Sequence, residues 1–360
     1  MPRASDLGIR IGTLPSGPTS SVLDIEGVGL GHATVVRDEP APPEGRGIAR
    51  TGVTVLVPAD DAYDRMLPAG GAVLNGAGEC TGLLTAAEWG TLETPIFLTS
   101  TLQLGRVYDA ACEFSVERDE RHADDVAIPV VAECDDSFLN DNRRMHVTHA
   151  HVKRAWEEAL ASRGSTTPPA EGSVGSGTGM SCLGFKGGIG TASRITPEGH
   201  TVAVLLLTNY GVREQLVVDG VPVGRLLGPS EHPGVPKPAG SCIGVVVTDA
   251  PVDGAGCARL ARRIGLGLAR TGSVAQHGSG EIFLACTTGL RVDRDGGYDG
   301  PVTVSGRGLD PLFAAVVEAS EESVLNSLLS SPTMTGRAGN TSAGLDPDTV
   351  VRLLREHGRL

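Results

Sequence analysis

Short β-branched and aliphatic runs recur along this chain between glycine-rich turns. Residues 51–57, 95–99, 128–132, 201–208, 243–248 and 282–287 have the length and bounding turns of strands. The run Val202-Ala203-Val204-Leu205-Leu206-Leu207 is apolar throughout rather than alternating, which predicts a strand covered on both faces. Helical spacing occupies 147–162, 256–270, 310–329 and 346–356. Asp310-Pro311 and Asp346-Pro347 each predict an N-cap aspartate followed by proline at the first helical position. The order of elements predicts a layered α/β fold in a single domain spanning residues 1–360, with 162–176 a surface loop and no internal repeat.

Composition narrows the ligand class. With 360 residues and 40% apolar content the chain can bury a large core, and with 3% aromatics that core is aliphatic. A formal charge of -13 argues against nucleic acid, because phosphate binding needs concentrated Lys and Arg; small molecules or short peptides fit better. Seven cysteines without a CxxC spacing indicate neither a disulfide framework nor a zinc site, and read as reduced, mostly buried thiols. The first residues lack an apolar signal core and no run reaches membrane-spanning length, so the expectation is a soluble, cytoplasmic protein with no membrane contact.

Candidate chemistry centres on Gly240-Ser241-Cys242, which joins the proline-broken loop 232–239 to the apolar run from Ile243. A serine where a loop enters a buried strand, preceded by a residue without a side chain, is a place where a chain can cut itself and expose an amino-terminal nucleophile. Ser279 and Glu281, two apart at a strand entrance, point to one face, and Asn209 at the end of another strand can donate to a developing oxyanion. The Gly-rich stretch from Val174 to Thr191 fails the phosphate-loop pattern, since Lys186 is followed by glycine. Lys186 itself, alone among glycines, can reach a cavity where its pKa would fall. His146, His149 and His151 lack the Glu of HExxH and read as a helix start, so no metal or cofactor is expected.

Longer motifs connect these positions. Asp24-Ile25-Glu26-Gly27-Val28-Gly29-Leu30-Gly31-His32-Ala33-Thr34, Asn75-Gly76-Ala77-Gly78-Glu79-Cys80-Thr81-Gly82, Gly177-Thr178-Gly179-Met180 and Gly184-Phe185-Lys186-Gly187-Gly188-Ile189-Gly190-Thr191-Ala192-Ser193-Arg194 come first. Thr208-Asn209-Tyr210-Gly211, Gly240-Ser241, Thr248-Asp249-Ala250-Pro251, Gly278-Ser279-Gly280-Glu281 and Thr333-Met334-Thr335-Gly336 follow. In order and spread this set resembles the DmpA/BapA (P1/S58) family of autoprocessing aminopeptidases. The resemblance implies a four-layer αββα sandwich, like that of N-terminal-nucleophile (Ntn) hydrolases, and cleavage into 1–240 and 241–360. It further implies a homo-oligomer, such as a tetramer, of two-chain protomers. By that resemblance Ser241 is the nucleophile, with Ser279, Glu281, Asn209 and Lys186 around it, and Glu133 receives the substrate's free amine. Where relatives carry an aromatic residue two positions after that glutamate, this chain has Asp135, which implies a more acidic substrate pocket. Another departure is Thr99-Ser100-Thr101-Leu102-Gln103, where relatives tend to carry Asn and His. The implied activity is amide hydrolysis on short peptides or amino amides and esters. A non-peptide amidase, an acyltransferase and a noncatalytic binding protein on the same fold stand as rival readings.

Overall fold

The computed structural model describes residues 1–230 and 240–360; the loop 232–239, expected to lead into Ser241, lies outside the described residues. The principal elements in chain order are strands β1 (Gly29–Arg37), β2 (Ala49–Val57), β3 (Arg65–Gly76) and β4 (Ile96–Ser100), helix α1 (Leu104–Arg118), strand β5 (Val130–Cys134) and helix α2 (His149–Ser162). They continue with strands β6 (Ile189–Ile195), β7 (Thr201–Asn209) and β8 (Ser241–Thr248), helix α3 (Gly254–Arg270), strand β9 (Gly280–Thr287), and helices α4 (Asp310–Leu329) and α5 (Pro347–Glu356). Asp346 caps α5 through Thr349 N–H as expected. Asp310 does not cap α4: a 3-10 turn over Gly306–Leu309 runs directly into the helix, so Leu309 takes the cap position and Asp310 is already helical.

Two sheets stack face to face. One has the order β1-β2-β4-β5. The other is eight-stranded, with β3-β9-β8-β7-β6 at its centre and the short strands Arg291–Asp293 and Tyr298–Asp299 beyond β3. Alternation along each strand then assigns the faces. Leu205, Leu207, Ile243, Val245, Ile282 and Leu284 meet Leu56, Ile96, Leu98 and Val130 in the core between the sheets. Val204, Leu206, Val246 and Phe283 on the opposite face pack against Leu260, Ile264, Ala315 and Leu328 of α3 and α4. On the outer face of the smaller sheet, Val53, Val55, Phe97 and Val131 pack against Val107, Ala111, Val152 and Trp156 of α1 and α2. The result is the αββα sandwich that the resemblance implied.

Helix α4 is tied to β6 by a buried charge cluster. Arg194, 1% exposed, reaches Glu322 at 2.6 Å and Glu318 at 3.3 Å and donates to the Ile11 carbonyl at 2.7 Å. Such pairs fix geometry more than they add stability, because ionic groups lose hydration on burial. Among the described residues no helix is long and apolar enough to cross a membrane. All seven cysteines are free, and every one except the half-buried Cys112 is buried.

Candidate active site

Strand register brings the central candidates into one row. Asn209 at the end of β7 is the partner of Ser241, the first residue of β8; Ser241 pairs in parallel with Gly280, the first residue of β9; and Gly280 pairs with Gly76, the last residue of β3. Four strand ends thus converge at one edge of the larger sheet. The Gly240 carbonyl at this edge accepts the Ser241 hydroxyl at 2.7 Å and the Gly280 N–H at 3.1 Å. Two glycines make that approach possible. A Cβ on Gly240 would lie 2.5 Å from the Asn209 carbonyl oxygen, and one on Gly280 would lie 2.4 Å from that of Ala77.

Ser279 and Glu281 flank Gly280. The Ser279 hydroxyl donates to Glu281 Oε1, while Oε2 of the same carboxylate is buried without a hydrogen-bond partner among the described residues. Burial raises the Glu281 pKa and the Ser279 hydrogen bond works against it. Asn75 holds this turn from β3, its side-chain amide donating to the carbonyls of Gln276 at 2.9 Å and Ser279. The Asn209 amide is oriented at both ends: Nδ2 donates to the Asp135 carbonyl at 2.7 Å and Oδ1 accepts Ser181 N–H at 2.9 Å.

The second sheet supplies the facing wall. Beyond β3 the chain crosses to β5, where Cys80 bridges Ala132, and Glu133 on β5 is register partner of Thr99 on β4. Glu133 is buried and accepts Glu79 N–H at 2.9 Å on Oε1 and the Thr101 hydroxyl on Oε2. Burial raises its pKa, opposed by those two donors. It adjoins the row through Gly78, where a Cβ would sit 3.1 Å from Glu133 Oε1 and 3.7 Å from Gly280 Cα.

Two candidates stand differently from the expectation. Lys186 is fully buried, and its ammonium donates to the Gly187 carbonyl at 2.7 Å and the Gly177 carbonyl at 3.0 Å rather than to Ser241. Burial lowers its pKa to about 7. It pairs across a two-residue ribbon with Ser181, the residue that orients Asn209. Asp135 turns its carboxylate onto Ser137, accepting N–H at 2.9 Å and the hydroxyl at 2.8 Å, so its backbone carbonyl is the group that touches Asn209. The histidines stay apart from all of this. His146 contacts Asp141 and Arg37, His149 lies between Asp109 and Glu113, and His151 bonds Thr148; among the described residues no group of His, Cys, Asp and Glu could hold a metal ion. Residue type and spacing in the sequence assign no role to Asn75, Thr101, Ser181 or the Gly280 N–H. The first two lie in the motif and the divergent loop named above, whereas a backbone N–H carries no residue-type signal.

An αββα sandwich with a serine opening a central strand is the arrangement of the Ntn-hydrolase class. Similarity to known proteins takes this further. Peptidase family S58 matches residues 20–342. A β-peptidyl aminopeptidase, BapA, of Sphingosinicella xenopeptidilytica is 36% identical over 98% of this chain and 91% of its own length. Among solved structures, a Pyrococcus horikoshii OT3 protein aligns over 100% of both chains with TM-score 0.90 and 38% identity. The L-aminopeptidase D-Ala-esterase/amidase of Ochrobactrum anthropi, described as a prototype of the serine aminopeptidases and a variant of the Ntn-hydrolase fold, aligns over 100% of both chains with TM-score 0.88 and 33% identity. The chain belongs to peptidase family S58 and is a serine aminopeptidase of the Ntn type.

Proposed function

We propose that this chain is made as an inactive precursor that cuts itself between Gly240 and Ser241. Residues 1–240 and 241–360 then act together on short peptides, amino amides and esters, with β-amino acyl substrates included on the strength of the BapA likeness. The observation that carries this reading is the Gly240 carbonyl, which is held by the nucleophile's own hydroxyl at 2.7 Å and by Gly280 N–H at 3.1 Å. In self-cleavage Ser241 Oγ bonds to the Gly240 carbonyl carbon, the C–N bond breaks, and the hydroxyl proton ends on the Ser241 nitrogen. Ser279, bonded to Glu281, relays that proton, and Gly280 N–H takes the negative charge on oxygen. Water then hydrolyses the ester, leaving a Gly240 carboxylate and a free Ser241 amine.

That amine, with an ordinary pKa of about 7.7 to 8.0, is the general base for its own hydroxyl in each later turnover. Glu133 receives the substrate's ammonium, Asn209 donates its remaining N–H to the oxyanion, and the free Glu281 Oε2 accepts from the protonated Ser241 amine. Asp135 contributes through its carbonyl, as the support of Asn209. Lys186 holds the wall that carries Ser181 and so also acts through Asn209. The two fragments stay joined in one domain because β7 pairs with β8 and β3 pairs with β9, each pair crossing the cut. Exposed Val73, Leu74, Leu84, Trp89 and Leu266 support assembly into a homo-oligomer, and sedimentation velocity measures its size. The test of function is the intact mass of the denatured protein beside Ser241→Ala. Two fragments split at Gly240, absent from the variant, support the reading; one full-length wild-type chain refutes it.

A further inference from the structure

Glu133 is 3% exposed, and no cationic side chain among the described residues pairs with it. Two donors answer its charge: Glu79 N–H on Oε1 at 2.9 Å and the Thr101 hydroxyl on Oε2. The other titratable groups that face it are neutral or of the same sign. Burial raises its pKa, and the Asp135 and Glu79 carboxylates add to that rise. The Cys80 and Cys134 thiols beside it are buried as well, which pushes their own pKa values above the ordinary thiol range and keeps them uncharged. A buried carboxylate held in this way is completed by an incoming cation. Gly78, an exposed residue, does not crowd Oε1, whereas a Cβ there would stand 3.1 Å from it.

Thr101 is placed by the strand that precedes it and the turn that follows. Strand β4 pairs in parallel with β5, Thr99 opposite Glu133 and Ser100 opposite Cys134, so Thr101 is the first residue past the strand end. The Thr99 hydroxyl ties β4 to β2, donating to the Gly52 carbonyl at 3.0 Å. After Thr101 the chain makes one 3-10 turn to Gln103, whose side-chain oxygen accepts Val147 N–H at 3.2 Å. The backbone is thus fixed on both sides, and the exposed Thr101 side chain directs its hydroxyl to Glu133. A β-branched side chain suits this placement because few χ1 rotamers are open to it.

We infer that Thr101 is the positioning residue for amine recognition: through its bond to Glu133 Oε2 it orients the carboxylate toward the substrate's ammonium and so sets the preference for substrates with a free amino terminus. One lone pair of each carboxylate oxygen is taken by its protein donor, which leaves the others for the ammonium. Loss of the hydroxyl removes a charge-assisted bond while burial and two carboxylates still oppose ionisation, so Glu133 takes up its proton at higher pH. The inference rests on the reading of Glu133 as the ammonium receptor proposed above.

The test uses the processed enzyme with alanine and β-alanine p-nitroanilides, in the wild type, Thr101→Val, Thr101→Ser, Glu133→Gln and the double variant Thr101→Val with Glu133→Gln. Thr101→Val is expected to raise KM about ten- to a hundredfold with kcat little changed, and Thr101→Ser to restore most of the loss. Followed from about pH 8 down to about pH 5, KM rises as Glu133 is protonated, and in Thr101→Val that rise begins at a higher pH. Because Thr101 acts through Glu133, the same change made in Glu133→Gln should move KM less than about twofold. A KM that Thr101→Val leaves unchanged, or raises equally in both backgrounds, overturns the role of Thr101 and leaves Glu133 as the receptor. Wild-type KM in Glu133→Gln, or a wild type that cleaves neither compound, overturns the reading of the site on which the inference rests.

Discussion

Replacing Lys186 with Met should alter how stability depends on pH, in a direction fixed by where the lysine sits. Lys186 is completely buried against the Gly177 and Gly187 carbonyls, and burial lowers its pKa from 10.5 to about 7. Between those values the unfolded chain retains a proton that the folded chain has released. Stability therefore rises with pH across that window and is lost as pH falls toward 7. From pH 7 to about pH 9 this one group contributes a rise of roughly 2 kcal/mol. Methionine fills similar space and has no proton to exchange, so the variant lacks that rise. The lost ammonium contacts cost an amount that does not depend on pH above the lysine's titration, and each carbonyl keeps another donor, the Ser331 hydroxyl at 2.9 Å on Gly187 and Met180 N–H at 3.3 Å on Gly177. A buried thiol such as Cys286, whose pKa burial pushes up to about 12, contributes a slope of opposite sign, but it does so in both proteins. The readout is accordingly a difference. Urea unfolding of Ser241→Ala, with and without Lys186→Met, at pH 7 and about pH 9 should give a stability gap that shifts by about 2 kcal/mol between the two conditions. A gap that stays constant would mean that Lys186 keeps its ordinary pKa in the fold, and the argument from its burial would be wrong.

Gly240→Ala should slow self-cleavage strongly, since the new Cβ meets Asn209 and Tyr210 backbone atoms at 2.5 and 2.7 Å; a time course of fragment appearance by denaturing gel reads it, and wild-type kinetics would contradict it. Asn209→Ala should lower kcat by about 10² to 10³ through the lost oxyanion donor, and should destabilise the fold by about 1 to 3 kcal/mol because Ser181 N–H loses its acceptor. Steady-state assays and urea unfolding separate the two effects, and unchanged kcat in a processed variant would remove Asn209 from the oxyanion site. In the mature enzyme kcat/KM should rise with pH around a midpoint of about 7.7 to 8.0, as the Ser241 amine becomes neutral. Glu133→Gln should raise KM for amine-bearing substrates and leave that midpoint in place; a shift of the midpoint would make Glu133 the general base instead.

The site is readable in sequence where its chemistry lies in side chains at strand ends. Ser241 and Asn209 each stand at the edge of an apolar run, and those runs form β8 and β7, with Ser241 and Asn209 as register partners. Strands β1, β3 and β6 are not readable in the same way, because their sequences are rich in glycine and small polar residues that resemble turns. Their glycines answer to the layer above. A Cβ on Gly31 would sit 2.2 Å from the Ala155 carbonyl oxygen of α2, one on Gly70 would sit 2.5 Å from Ala258 N of α3, and one on Gly190 would sit 1.9 Å from the Ser323 carbonyl oxygen of α4. Helices approach the sheets so closely at these points that only a residue without a side chain fits, a use of glycine that local propensity does not reveal. The same limit hides part of the site. Gly280 matters through a backbone N–H, and Asp135 touches Asn209 through its backbone carbonyl while its carboxylate turns away to Ser137. Residue type points to an acidic pocket at Asp135, whereas its carbonyl is what orients Asn209, and any residue with a carbonyl can do that. Asp135 can therefore differ from the aromatic of its relatives without loss of the oxyanion donor.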